Sequence, residues 1–204
     1  RRGGERQPCV GLGEAVAVQD PGDAVGIEIH RQLQVRVDRR IKMLVDGAFF
    51  AQNMMMNPPG YSDGHIGKWI TPPDVANAQF RRFWDAGFSL HIHVNGDEGL
   101  DAVLDGLSAL APPRGRQTIT LEHLGFSTEA QNRRIARMGL MVSAQPNYIR
   151  VLGDVYAKNG LGPDRAATMN RLGSLERKGA PLGLHSDFNM APIDPLYLAW
   201  IAAN

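Results

Sequence analysis

The chain has 204 residues and a formal net charge of +1, from 22 basic and 21 acidic residues. This length suits one domain or part of a larger one, and 43% hydrophobic residues are enough for a packed core. The balanced charge predicts no basic surface for nucleic acid, so we expect no nucleic-acid partner. No apolar run approaches the ~20 residues that span a bilayer, so we expect no membrane partner either.

Cysteine content and the N-terminal sequence bear on the compartment. The single cysteine, Cys9, cannot form an intramolecular disulfide, which favours a reducing environment. The basic start of the chain is not followed by a sustained apolar stretch, so it does not read as a signal peptide. We therefore expect a cytoplasmic protein.

The sequence pattern changes near residue 40. Before that point there is no chemical motif, although alternation over residues 27–37 predicts a strand or an edge hairpin. Beyond it, short apolar runs alternate with amphipathic stretches, which is typical of β/α units. Five strands are predicted there, at residues 41–45, 88–94, 117–122, 140–144 and 181–186.

Helices are predicted between these strands from their end signals. Thr71, followed by two prolines, predicts a capped helix that runs to about residue 85. A leucine-rich stripe over residues 100–110 predicts a second helix. Thr128 and Gln131 form a capping-box pattern for a third, ending at Gly139. The last two helices are predicted at residues 164–178 and 194–203.

Polar residues cluster at the carboxyl ends of the predicted strands, where β/α folds place their active sites. His93, His123 and Asp187 each close a different strand, and Lys42 lies inside the first. Each alone has an ordinary structural explanation, as a hydrogen-bonded histidine, a turn-capping aspartate or an edge lysine. Together they favour a hydrolytic metal centre, because imidazole nitrogen and carboxylate oxygen are the ligands of ions such as zinc.

Two further histidines could belong to the same centre. His91 shares a strand face with His93, and His185 stands in the same relation to Asp187. For both, a metal ligand and a packed interior histidine remain equally open. The apolar loop at residues 49–57 predicts either a greasy substrate site or a packed lid. Histidines without sequence partners are assigned to surface or loop: His30 and His65.

Six segments in order carry a family resemblance: IKMLVDGA, HIHVNGDEGLDAVL, TLEHLGF, MVSAQPNY, LGPDR and HSDFNMAPIDPL. From Lys42 onward the chain resembles the amidohydrolase superfamily, specifically its YtcJ-like branch, amidohydrolase family 3. The resemblance implies an α/β fold, a partial TIM (β/α)₈ barrel of about strands 4 to 8, lacking the N-terminal strands and the β-sandwich domain. We therefore expect a non-matching segment at residues 1–40 and a partial barrel domain at 41–204.

The resemblance also implies an activity, the hydrolysis of non-peptide carbon–nitrogen bonds in amide-like small molecules by metal-activated water. Lys42 looks like the family lysine that bridges two metals when carboxylated, and His93 and His123 look like the histidine ligands. Asp187 looks like the aspartate that binds metal and shuttles the proton. The implied cofactor is a divalent metal, zinc first, as one or two ions. Residues in matching segments are expected to shape the substrate pocket: Asp97, Gln145, Asn147 and Arg165.

The chain also departs from the family pattern. Nothing before Lys42 supplies the family's His-x-His pair, and His185 stands where the family usually has glycine. A closed barrel needs eight strands, so we expect a fragment, with open sheet edges that allow a homo-oligomer. Two alternatives stay open: a truncated, catalytically incompetent fragment, and a mononuclear hydrolase in which Lys42 is structural.

Overall fold

The computed structural model describes residues 39–204, and these residues build a five-stranded, fully parallel sheet in the order β1-β2-β3-β4-β5. The strands are β1 Arg40–Leu44, β2 Ser89–Val94, β3 Ile119–His123, β4 Met141–Ala144 and β5 Leu182–Leu184. All five strands predicted beyond residue 40 are confirmed. The strand predicted at residues 27–37 lies outside the described residues.

Helices follow the strands in the alternation that the sequence predicts. They are α1 Pro73–Asp85, α2 Asp97–Ser108, α3 Glu129–Arg137, α4 Asn147–Asn159, α5 Pro163–Ala166, α6 Leu172–Arg177 and α7 Pro195–Ala203. A short 3₁₀ turn, Phe49–Ala51, lies in the long loop after β1. Each strand pairs with the next one along the chain, so the fold is a partial TIM-barrel-like sheet. In residues 39–204 no helix has the length and apolar character needed to cross a membrane.

The two faces of the sheet differ in character. One face packs against the helices, with Leu90, Ile92 and Leu121 fully buried against side chains such as Leu100 and Leu104. Because side chains alternate along a strand, the other face carries the intervening residues. On that face lies a polar row that includes Lys42, His91 and Glu122. The apolar face forms the core of the domain, and the polar face carries the titratable side chains.

Two of the predicted helix ends are confirmed and one is wrong. The Thr128 hydroxyl accepts from the Gln131 backbone and the Gln131 side chain accepts in return, which completes the capping box of α3. Gly139 follows α3 with φ +65°, the left-handed conformation that glycine favours there. Thr71 does not cap α1. Its hydroxyl instead donates to the Leu44 carbonyl at 2.7 Å, which ties the loop to the end of β1.

The single helix predicted over residues 164–178 is also wrong. The chain forms α5 and α6 instead, separated by a turn in which Asn170 has φ +41°. The Asn170 amide donates to the carbonyls of His123 (3.3 Å) and Leu124 (3.2 Å), so its side chain is committed to the end of β3. This tertiary contact overrides the local helical pattern.

Helix α4 is an element that the sequence analysis does not predict. It begins directly after Pro146, carries Gly153 in its interior, and leaves Val151 and Val155 exposed. Glycine and β-branched residues are poor helix formers, so the local signal is weak. Its buried face holds two tyrosines eight positions apart, Tyr148 and Tyr156, and this packing stabilises the helix.

Candidate active site

Two histidines meet at the carboxyl ends of neighbouring strands. His93 lies near the end of β2 and His123 closes β3, in a register that pairs Val94 with His123. Their ring centroids are 4.6 Å apart and the ring planes are tilted by 66°. Both residues are buried. The structure therefore brings together two of the predicted metal ligands.

The orientation of His123 is fixed by the next strand. Its Nδ1 atom lies 2.9 Å from Oε1 of Gln145, which follows β4, and the same amide donates from Nε2 to the Ser186 carbonyl at 3.4 Å. Because Oε1 can only accept, His123 donates from Nδ1 and keeps the lone pair on Nε2. The Tyr148 hydroxyl lies 3.5 Å from the same Nδ1.

His93 is held from the opposite side. Its Nε2 atom lies 3.2 Å from the Asn95 amide nitrogen and 4.0 Å from Oδ1 of Asp46. Because the Asn95 amide nitrogen can only donate, Nε2 is the acceptor in this contact, and a neutral His93 carries its hydrogen on Nδ1.

Burial sets the charge state of the three site histidines. It lowers the pKa of His123 to about 4, with a further contribution from the neighbouring His93. Burial also lowers the pKa of His93 and of His185, although the negative charge of Asp187 opposes the shift in both. The imidazoles are therefore neutral near pH 7, the form in which a ring nitrogen can bind a metal.

The last strand brings His185 and Asp187 to the same edge. The His185 backbone donates to the Ala144 carbonyl at 2.9 Å, which continues the pairing of β5 with β4 past Leu184. The His185 ring lies 4.9 Å from that of His123. Asp187 follows with φ +49°, a left-handed turn that is uncommon for a residue other than glycine.

Lys42 lies on the polar face of the sheet, and it is already paired. Its Nζ atom is 2.5 Å from Oε2 of Glu122, whose Oε1 is 2.9 Å from Nδ1 of His91. Burial of Glu122 raises the pKa of this carboxyl, but its bonds to Lys42 and His91 outweigh burial and leave the pKa lowered. Glu122 is thus an ionised carboxylate that joins β1, β2 and β3. Sequence reasoning passed over it although it precedes His123 directly.

Asp46 is a second residue that sequence reasoning missed. It is fully buried and accepts from the backbone N–H groups of Met55 (3.0 Å), Asn95 (2.9 Å) and Gly96 (2.8 Å). Burial raises its pKa to about 7, against the effect of these three bonds. Its position directly after β1 is the same strand-end signal that identified His93. Asp46 fixes the loop after β1 against the start of α2.

The apolar loop at residues 49–57 is packed rather than open. Phe49, Met54 and Met56 have no exposed surface, and the Phe49 ring stacks on Tyr148 with centroids 4.0 Å apart. Of the two interpretations that the sequence left open, the structure favours a packed lid. Because Tyr148 also contacts His123, the loop packs against a residue that contacts the site.

The residues predicted to shape a pocket fall into two groups. Gln145 and Asn147 are buried beside the strand ends, and Gln145 contacts His123. Asp97 and Arg165 instead pair with each other, with Nη2 3.2 Å from Oδ2. Asp97 also accepts from the Asn57 backbone at 2.9 Å, so this pair fastens the loop after β1 to α2 and α5.

The side chains at the strand ends are of the right chemical type to bind a divalent metal ion, but they are not arranged as a metal site. Within residues 39–204, no group of three or more His, Cys, Asp or Glu side chains is arranged to hold a metal as the side chains stand. The donors themselves fit a divalent ion, since they are neutral imidazoles with a carboxylate at one edge of the sheet. Coordination would therefore require turning of side chains on a backbone that already places them together.

Comparison with known proteins identifies the family. A family model described as the amidohydrolase family matches residues 27–204. The chain belongs to amidohydrolase family 3. The match begins upstream of residue 41, where the resemblance in the sequence starts. As a member of this family the chain is related to hydrolases.

Two curated relatives of this amidohydrolase chain are similar over most of its length. A Bacillus subtilis protein named as an amidohydrolase, YtcJ, is 26% identical over 158 residues, which is 76% of this chain and 29% of that protein. LONG AFTER FAR-RED 3 of Arabidopsis thaliana is 26% identical over 166 residues, 77% of this chain and 27% of the relative. The chain thus spans less than a third of the length of the curated relatives it matches.

Solved structures support the same fold. A crystal structure described as an uncharacterised metal-dependent hydrolase from Pyrococcus horikoshii OT3 matches with a TM-score of 0.68 at 23% identity, over 80% of this chain and 32% of that one. A second, with the same description but from Pyrococcus furiosus, matches with a TM-score of 0.68 at 24% identity, over 86% of this chain and 38% of that one. These likenesses show the fold that the sequence predicted.

Proposed function

We propose that this chain carries catalytic residues, at the carboxyl ends of its strands, of a metal-dependent hydrolase that cleaves non-peptide carbon–nitrogen bonds in amide-like small molecules. The observation that carries the proposal is the contact of the neutral rings of His93 and His123, 4.6 Å apart, at the sheet edge where Asp187 follows β5. The name of the Bacillus subtilis relative, an amidohydrolase, and the description of the two solved structures as metal-dependent hydrolases support the coarser part of the proposal, a metal-dependent hydrolase.

The ligands proposed for the metal are His93, His123 through Nε2, and the carboxylate of Asp187. When bound, a divalent ion such as zinc supplies Lewis-acid polarisation of a carbonyl and lowers the pKa of water toward ~7. Gln145 holds the His123 ring in the tautomer that this arrangement needs. Asp46 lies 4.0 Å from Nε2 of His93.

Asp187 is the proposed proton carrier. A carboxylate oxygen of Asp187 takes a proton from the attacking water and returns it to the departing nitrogen, so one group serves as base and then as acid. The turn at φ +49° places this residue after the strand end rather than within the sheet. His123 is a poor acceptor for this proton, because burial lowers its pKa to about 4.

Of the two metal arrangements open from the sequence, the ion pair of Lys42 favours the one with a single ion. Lys42 is 2.5 Å from Glu122, and a carboxylated Lys42 would place a second negative charge beside that carboxylate. In the single-ion arrangement Lys42 is a structural cation. In the two-ion arrangement Lys42 would have to leave Glu122 and serve as a bridging ligand.

The substrate is proposed to be a small molecule in the cytoplasm, bound above the strand ends. Gln145 and Asn147 lie buried beside His123 and are the nearer candidates to line its pocket. Asp97 and Arg165 would act at greater distance, by holding the loop after β1 in place.

Hydrolysis of a panel of amides, imides and ureas by the zinc-loaded chain tests the proposal. We expect turnover that Asp187→Asn removes almost completely with the fold retained, while Asp85→Asn, at the exposed end of α1, leaves it unchanged. Metal binding without turnover would favour the alternative of a catalytically incompetent fragment. Turnover that survives Asp187→Asn would defeat the assigned role.

A further inference from the structure

His185 has a buried atom that no contact explains. Its Nε2 atom has no hydrogen-bond partner within the described residues, although it is shielded from water. A buried ring nitrogen without a partner is uncommon in folded proteins.

The ring of His185 lies beside the proposed metal ligands. Its centroid is 4.9 Å from that of His123, whose other neighbour is His93 at 4.6 Å. The three imidazoles therefore form one contiguous row across the ends of β2, β3 and β5. The backbone bond from His185 to the Ala144 carbonyl fixes the position of its Cα in this row.

We propose that His185 is a further metal ligand, which binds through Nε2 beside His93, His123 and Asp187. This inference rests on the proposed function, because it adds a ligand to the same centre. Three imidazole nitrogens and a carboxylate oxygen are a donor set that zinc accepts, and activation of water at such a centre would require a fifth position on the ion.

The ligand role differs from that of a packed interior histidine in what the ring nitrogen does. A packed histidine only fills volume. Its replacement would change stability, and in the wild type its ring nitrogens would show no change in the spectrum when metal is added. A ligand changes the state of Nε2 when metal binds. The unpartnered nitrogen favours the second role, since a purely structural ring would be expected to use both nitrogens or expose one.

The direct test uses the full 204-residue chain with ¹⁵N-labelled histidine, and Zn²⁺ alone as the probe. Two-bond ¹H–¹⁵N correlation spectra resolve the nitrogens of its six histidines before and after zinc is added. We expect Nε2 of His185 to shift to the metal-bound range in parallel with His123. If His93 and His123 shift and His185 does not, the inference is overturned while the proposed metal site stands.

A matched pair of variants gives a second readout. We expect His185→Ala to weaken Zn²⁺ binding at least about tenfold in chelator competition, and His65→Ala, which removes an imidazole from the loop after β1, to leave it unchanged. Circular dichroism checks that both variants fold. If His185→Ala does not fold, the spectra of the labelled wild-type chain decide whether His185 binds zinc. Equal affinity of a folded His185→Ala and the wild type overturns the inference. No shift at any site histidine overturns the proposed metal centre as well.

Discussion

The Nδ1 atom of His123 lies 2.9 Å from Oε1 of Gln145, and this single bond sets which nitrogen of the histidine faces the site. The opposite end of the Gln145 amide reaches the Ser186 carbonyl, so one fully buried side chain connects the ends of β3, β4 and β5. Gln145 thereby ties the orientation of a proposed ligand to the positions of two other strands.

Replacing Gln145 with methionine should weaken metal binding without removing a ligand. Methionine keeps the length of the side chain, but its thioether sulfur is only a weak acceptor for Nδ1, so the tautomer of His123 is no longer fixed. Loss of such an outer contact typically costs ~10–100-fold in metal affinity. Zinc affinity measured by chelator competition checks the expectation.

The matched control is Gln117→Met, which removes an amide that donates to the Trp84 and Phe88 carbonyls at the amino-terminal side of the sheet. We expect both variants to lose stability and only Gln145→Met to lose zinc affinity. An equal loss of affinity in the two variants would attribute the effect to general destabilisation.

Burial of His123 should add an acid-sensitive contribution to the stability of the metal-free chain. The pKa of His123 is lowered from 6.5 to about 4, so the folded state binds fewer protons than the unfolded state between these values. The stabilisation is therefore complete above pH 6.5 and is lost as the pH falls to 4. The shift corresponds to roughly 3 kcal/mol of unfolding free energy at ~1.4 kcal/mol per unit. Urea unfolding at several pH values in the presence of a chelator measures it.

Asp46 works in the opposite direction over an overlapping range, because its raised pKa of about 7 makes the folded state bind a proton more readily. The dependence of the unfolding free energy on pH is therefore compared between variants rather than taken from the wild type alone. We expect His123→Asn to lose less stability between pH 6.5 and 4 than the wild type, and Gln117→Met, which removes no titratable group, to keep the wild-type slope. Parallel curves for all three proteins would contradict the assignment to His123.

The number of bound metal ions should not depend on Lys42. Because its ammonium group is paired with Glu122, we expect one zinc per chain in the wild type and in Lys42→Met. Metal analysis of purified protein measures this, with Lys178→Met, which removes a lysine paired with Glu129, as the control. Two ions in the wild type and one in Lys42→Met would favour a bridging, carboxylated lysine.

Much of the fold follows from local sequence, because alternation and cap residues report short-range structure. The five strands and the capping box at Thr128 are of this kind. The errors arise where a side chain is committed to a distant partner. The Thr71 hydroxyl bonds the end of β1, and the Asn170 amide interrupts a helical pattern to bond the end of β3. Such contacts have no signature within their own segments.

The site was predictable in part for the same reason. The carboxyl ends of parallel strands lie at the same end of a sheet. Histidines predicted at the ends of neighbouring strands are therefore expected to lie close together, and His93 and His123 could be placed together from sequence. The partners that hold them could not. Gln145 was expected only to shape the pocket and not to bond His123, and the link between Glu122 and Lys42 depends on a register across three strands. Orientation thus depends on tertiary contacts that sequence periodicity does not encode.

Close packing of the loop after β1 yields a final prediction. Gly96 precedes α2 and donates from its backbone to Oδ2 of Asp46 at 2.8 Å, and a Cβ added there would stand 1.9 Å from the Met55 carbonyl oxygen. Because that neighbour is backbone, it cannot rotate away. We expect Gly96→Ala to lower the unfolding free energy by about 3 kcal/mol, the upper end for overpacked sites.

Gly153 provides the matched control, since it lies inside α4 and an added Cβ would meet no atom within 4 Å. Alanine is the better helix former, so Gly153→Ala should raise the unfolding free energy by about 0.5–1 kcal/mol. The two substitutions add the same methyl group, and urea unfolding at pH 7 should give changes of opposite sign. A neutral Gly96→Ala would mean that the loop after β1 can move away from α2, and that Asp46 does not hold the two together.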